Sequence, residues 1–148
     1  MKKKNAVFVA YVTCIWLSAF AVVGSALLVY NAKISGQGTI KAVGIHVYKD
    51  PAATEPLTSA DWGIFEPGES KTGPVYIKNE GNVPVALSFH VESWQPANAS
   101  NFITLTWDYD GSGLAKGSIR QVTFTLTVSA NITGIDNFSF EVWVIGTG

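Results

Sequence analysis

The stretch Gln121–Ser129, QVTFTLTVS, decides the fold. Val122, Phe124, Leu126 and Val128 alternate with Gln121, Thr123, Thr125, Thr127 and Ser129. A period of two places the four apolar side chains on one face of an extended chain and the polar ones on the other. The β-branched Val and Thr residues favour that backbone. A slip of one residue would exchange the faces, so the register is strongly specified. Such a strand is half-buried, and its apolar face requires a second layer.

The same grammar extends outward in both directions. Upstream, Ile103, Leu105, Trp107 and Tyr109 alternate up to the turn signal Asp110-Gly111. Downstream, Ile132-Thr133-Gly134 precedes a last strand, Phe138 to Ile145, which is apolar on nearly every residue from Val142 onward and so needs cover on two sides. Val75 and Ile77 lead through Asn79-Glu80-Gly81-Asn82 to Val85, Leu87, Phe89 and Val91, a pattern that reads as a hairpin with one buried face. Ser93 to Asn101, with Pro96, reads as a loop, and Glu66-Pro67-Gly68-Glu69 as a turn. Thr39 to Tyr48 reads as the first strand, ended by Asp50-Pro51. The spacing predicts an all-β chain: a single antiparallel β-sandwich, jelly-roll or immunoglobulin-like, over 39–148. A polar linker at 31–38, with Gly36 and Gly38, and an N-terminal segment at 1–30 precede it.

That N-terminal segment is of another kind. Ala6 to Tyr30 holds no charged residue across 25 positions and follows Lys2, Lys3 and Lys4. As a helix it would rise about 37 Å, enough to cross a hydrocarbon core of about 30 Å with some tilt. The lysines place the N-terminus in the cytoplasm and the remainder outside. Two readings follow. Retained, the segment is a single-pass membrane anchor, and its length favours this. Cut after Ala21, where Ala19-Phe20-Ala21 fits the small-x-small pattern, it is a signal peptide and the chain is secreted or held at the cell surface.

Composition excludes some functions. After Tyr30 the chain carries 7 basic residues (10 less the three N-terminal lysines) against all 11 acidic ones, a net charge of −4. Such a domain lacks the clustered cations that neutralise phosphates, so nucleic acid is not an expected partner. The one cysteine, Cys14, lies in the apolar segment, which leaves the domain without an internal disulfide.

Candidate chemistry is sparse. His46 and His90 fall on polar strand faces with neither a His-Glu-x-x-His pattern nor a cysteine ligand, so neither a metal nor any other cofactor is expected. There is no Gly-x-Ser-x-Gly elbow, and no catalytic residue is assigned. Asp108-Tyr109-Asp110-Gly111-Ser112-Gly113 opens like a calcium loop but lacks the downstream acidic ligand, which leaves an Asp-Gly turn. Trp62, Trp94 and Trp107 are candidates for a sugar-stacking platform, with core packing as the competing role. Three N-x-S/T acceptors occur, at Asn98, Asn131 and Asn137.

Gly38-Thr39-Ile40, Asp61-Trp62-Gly63-Ile64-Phe65-Glu66-Pro67-Gly68-Glu69-Ser70 and Val75-Tyr76-Ile77-Lys78-Asn79-Glu80-Gly81-Asn82-Val83-Pro84-Val85 together resemble a known group. They are similar to the TasA/camelysin-type surface proteins of bacteria and the related archaeal bundling-pilus and thread subunits. The likeness covers about two-thirds of the chain. It implies a jelly-roll or immunoglobulin-like sandwich that polymerises by donor-strand complementation, in which the N-terminal strand of one copy completes the sheet of the next. If the chain is cut after Ala21, the matching segment implied here is Val22 to Ser35, with Leu27, Val29 and Ile34 as apolar anchors. The metalloprotease activity described for camelysin is not carried over, because no metal-ligand motif matches it. The expected function is a non-catalytic, extracytoplasmic structural protein of the cell surface, a filament or pilus-like subunit whose partners are the cytoplasmic membrane and copies of itself. The alternatives are a membrane-tethered monomeric adhesion or accessory module and a carbohydrate-binding domain.

Overall fold

Residues 34–148 are described by the computed structural model, and they form eight strands. These are β1 (Ile34–Val43), β2 (His46–Tyr48), β3 (Ser59–Phe65), β4 (Ser70–Lys78), β5 (Ala86–Gln95), β6 (Ile103–Trp107), β7 (Ile119–Val128) and β8 (Asn137–Thr147). One 3-10 turn, Ala97–Asn101, links β5 to β6, and no α-helix occurs among the described residues. The apolar segment Ala6–Tyr30, with Cys14, Ala21, Leu27 and Val29, lies outside them, as do residues 31–33. No helix among the described residues is long and apolar enough to cross a membrane.

The strands divide into two four-stranded sheets, one ordered β3-β1-β8-β5 and the other β2-β4-β7-β6. They face each other across a shared core. From β7 come Val122, Phe124, Leu126 and Val128, each at most 2 % exposed, as the alternation of QVTFTLTVS requires. From β8 come Phe138, Phe140, Val142 and Val144. Rings interdigitate between the sheets: Phe89 of β5 meets Phe124 of β7 edge-on at 5.4 Å and Trp107 of β6 at 4.8 Å. The second face of β8 is half-buried: Trp143 stacks beside the ring of its register partner His90 on β5, at 6.2 Å and an interplanar angle of 8°.

Three expectations are corrected. The segment Thr39–Tyr48 is not one strand. β1 begins at Ile34, inside the expected linker at 31–38, and ends at Val43. Gly44, at φ 72°, then turns the chain into β2 of the opposite sheet. Nor do β4 and β5 form a hairpin, because they lie in different sheets. The segment between them pairs with the β6–β7 connection instead: Val85 and Leu114 exchange both backbone hydrogen bonds (3.0 and 2.7 Å), and Asn79 N–H donates to Ser118 O. Finally, the sandwich is mostly but not wholly antiparallel. β1 runs antiparallel to β3 and parallel to β8, with Ser35–Val43 opposite Asn137–Ile145. Inserting the first strand beside the last, with the same sense, produces this one parallel ladder.

Candidate functional site: the slot of the first strand

β1 lies inside its sheet, between β3 and β8, although it is the element nearest the N-terminal segment. Its inward positions are Ile34, Gly36, Gly38 and Ile40, all buried. Two isoleucines bracket two glycines, so the middle of the strand contributes backbone and almost no side-chain volume to the core.

The neighbours fill that space. A Cβ added to Gly36 would stand 2.1 Å from Cζ of Phe138, and one on Gly38 would stand 3.1 Å from the ring of Phe140. Phe138 and Phe140 stack at 6.1 Å and 9°. Phe65 of β3 meets Phe138 at 6.1 Å on one side, and Trp94 of β5 meets Phe140 at 4.7 Å on the other. The result is an aromatic row, Phe65–Phe138–Phe140–Trp94, on which the glycines of β1 rest. Aromatic side chains of this size dominate core energetics. Both ladder edges of the slot, one from β3 and one from β8, are satisfied by β1 backbone. With β1 absent, those groups and the Phe138–Phe140 pair would face water, and the net stabilisation lost is about 0.5–1.5 kcal/mol per ladder hydrogen bond, besides the exposed aromatic surface. The slot therefore fits an extended strand with glycine at the inward position over Phe138 and a glycine or other small residue at the next inward position, over Phe140.

Ile34, expected as an apolar anchor, is the first residue of β1, pairs with Phe65 and is 1 % exposed. Leu27 and Val29, the other expected anchors, and Ala21 lie outside the described residues. The three tryptophans do not form one platform. Trp62 lies on β3 and packs near Gly73, Trp94 lies on the opposite edge strand of that sheet, and Trp107 lies in the other sheet against Phe89, Tyr109 and Phe124.

At the opposite pole a charged cluster surrounds Glu80. Its carboxylate accepts from Tyr48 Oη at 2.9 Å, lies 3.0 Å from Lys78 Nζ and 2.7 Å from His46 Nδ1. The Lys78 ammonium first, then the Tyr48 hydroxyl and the His46 ring, lower its pKa to about 2. In return the carboxylate raises the pKa of Tyr48 and of Lys78. No motif marks this cluster, which forms only when β2 pairs with β4. Asn79, beside it, is fully buried: its Nδ2 donates to Val83 O (2.7 Å) and Leu114 O (3.0 Å), and its Oδ1 accepts from Gly81 N–H (2.9 Å). The asparagine of the Asn-Glu-Gly-Asn signal thus ties down the crossing between the sheets.

The carboxylates of the calcium-like segment are engaged locally. Asp108 accepts from Thr123 N–H at 2.7 Å, and Asp110 accepts from the hydroxyl and amide of Ser112, which lower its pKa. No group of three or more metal-ligating side chains converges among the described residues. Asn98, Asn131 and Asn137 are all exposed. No family model matches this chain, and neither does any curated protein.

Proposed function

We propose that this chain is a non-catalytic structural subunit of the cell surface, held outside the cytoplasmic membrane, whose β1 completes the sheet of a neighbouring copy. One observation carries the reading: the strand adjoining the N-terminal segment occupies an internal slot of the sheet and contributes glycines rather than side chains to it. Withdrawing this strand takes only two isoleucine side chains out of the core but frees β3 from its one ladder, and a second copy of the same strand fits the same slot and restores both. Strand addition of this type draws affinity from main-chain hydrogen bonds and specificity from alternate pockets. Ile34 serves as one anchor in this reading, with Leu27 and Val29 as further apolar residues upstream. The parallel pairing of first and last strands suits an immunoglobulin-like rather than a jelly-roll sandwich. The likeness to TasA/camelysin-type and archaeal thread subunits supports the same assignment.

The apolar run Ala6–Tyr30 supplies the route outside, as anchor or as cleaved signal. Full-length chain extracted from membranes is expected to sediment as multimers and to form threads in negative-stain electron micrographs. A species that stays monomeric at every concentration, with no threads, would contradict the proposal.

A second reading has its own support. β1 fills the slot of its own chain in the single copy, so a tethered monomer is already a closed structure. In that case the domain is an adhesion or accessory module, and the glycines of β1 are simply the fit of one fold.

A further inference from the structure

Asn98 is distant in sequence from Asn131 and Asn137, yet the topology gathers all three at one pole. β5 ends at Gln95, and the 3-10 turn Ala97–Asn101, which carries Asn98, crosses from there to β6. β7 ends at Val128, and residues 129–136, which carry Asn131, cross back to Asn137 at the start of β8. The two crossings are joined, since Ser129 N–H donates to Phe102 O at 2.8 Å. β1 starts at this same pole, with Ser35 opposite Asn137.

We propose that Asn98 and Asn131 carry N-linked oligosaccharides and that Asn137, exposed and in the same triplet, is shielded from the transferase because docked β1 and β5 hold its segment in the sheet. The proposal rests on the extracytoplasmic reading above, because the transferring enzyme works beyond the membrane. In the transfer, Asn Nδ2 forms a bond to the anomeric carbon of a lipid-phosphate-linked oligosaccharide. The bond from that carbon to the phosphate oxygen breaks, and the lipid phosphate leaves with the electron pair and takes up the amide proton. The enzyme must reach both the asparagine amide and the hydroxyl two residues on, which defines the acceptor triplet.

The three triplets differ in what holds their backbones. Asn98 and Ser100 are both exposed, and the turn is pinned beneath them by buried Ala99, with Ser100 Oγ donating to Ala97 O at 3.0 Å. Asn131 and Thr133 are exposed on a turn in which Asn131 N–H donates to Ser129 Oγ at 3.2 Å. Neither triplet belongs to a strand ladder. Asn137 and Ser139 are exposed as well, but their triplet sits within the sheet: Asn137 opposes Ser35, Ser139 opposes Gln37 on one side and Gln95 on the other, and Phe138 fills the space over Gly36. Drawing this triplet into a transferase would peel β8 from both neighbours.

The test uses full-length chain purified from the membranes of its own organism, with glycopeptide mass spectrometry at each site and protease digestion of intact cells to locate the domain. Expected are glycan-bearing peptides at Asn98 and Asn131, and little or none at Asn137. Asn98→Gln and Asn131→Gln should each remove one glycan mass, as should Ser100→Ala and Thr133→Ala, whereas Asn137→Gln should remove none. Gly36→Val, which expels β1, should raise occupancy at Asn137. Bare peptides at Asn98 and Asn131 in a domain that protease reaches would overturn this proposal alone. Equal occupancy at all three sites would overturn the shielding. A domain protected inside intact cells would overturn the extracytoplasmic reading and this proposal with it.

Discussion

β1 and β7 occupy equivalent places, each an internal strand of a four-stranded sheet, and they meet the core in opposite ways. β7 brings its own filling, Val122, Phe124, Leu126 and Val128. β1 brings Gly36 and Gly38 between two isoleucines and lets Phe138 and Phe140 fill the space. A strand such as β7 is fixed by the area that it buries, at about 25 cal/mol per Å² of apolar surface. A strand such as β1 is fixed by its two ladders and by how closely its backbone fits over its neighbours' rings. On the proposed function, this difference is what makes one strand permanent and the other exchangeable in the same core.

The largest effect expected is on the permanent strand. Phe124→Ala should cost about 4 kcal/mol, the usual range for emptying a buried aromatic position, and should do so whether or not the chain is assembled. Chemical denaturation of full-length and disassembled material would measure it. Gly36→Val comes next. Its Cβ has no room beside the Phe138 ring, so overpacking should cost about 3 kcal/mol, and the variant should lose its multimers. The comparison is sharpened by adding Phe138→Ala, which removes the clashing ring. A double-mutant cycle should then show that the two costs fail to add by about 1–2 kcal/mol, and simple additivity would mean that the glycine is not matched to the ring. Smaller still is the difference between the intact strands. Native-state hydrogen exchange should find the amides of β1 opening at about 2 kcal/mol below those of β7, roughly a 30-fold difference in exchange rate. Equal protection would remove the distinction between them.

How much of this was legible follows from the same contrast. The strand QVTFTLTVS announces itself, because its side chains carry the period that its burial requires. β1 does not. Gly36 and Gly38 read as linker composition, and the partners that explain them, Phe138 and Phe140, stand about a hundred positions away. Ile34 reads as an isolated apolar residue in a polar segment, and nothing local marks it as the first residue of an internal strand. The turn at Asn79–Asn82 was legible, but a turn between two apolar-faced strands looks alike whether the chain returns within a sheet or crosses to the other. Only the pairing of Val85 with Leu114 distinguishes the two. The parallel pairing of β1 with β8 leaves no local mark at all, and neither does the meeting of His46, Tyr48, Lys78 and Glu80.

That last cluster gives the smallest prediction and serves as a control away from Gly36 and Gly38, at the far end of β1, where Ile40 lines the same cavity as His46, Tyr48 and Glu80. Glu80 falls from its ordinary value of 4.5 to about 2 in the folded chain. A lowered carboxylate pKa contributes stability that is fully present above 4.5 and is lost as the pH falls through the folded value. Melting temperature should therefore decline between about pH 4.5 and pH 2 in the wild type, and Glu80→Gln should flatten that decline without affecting assembly. An unchanged acid profile would remove the cluster from the account and leave the slot untouched.

The central claim is that β1 fills the slot of a neighbouring copy, and a covalent trap tests it most directly. Gln37 on β1 and Ser139 on β8 are exposed register partners, and adjacent strands lie close enough for a disulfide. Gln37→Cys and Ser139→Cys, placed in a Cys14→Ser background and oxidised on intact cells, would record which chain supplies the strand. The account predicts a ladder of covalent multimers on a non-reducing denaturing gel that collapses on reduction. A single monomeric band with both cysteines oxidised would show that each chain keeps its own β1, and would contradict it.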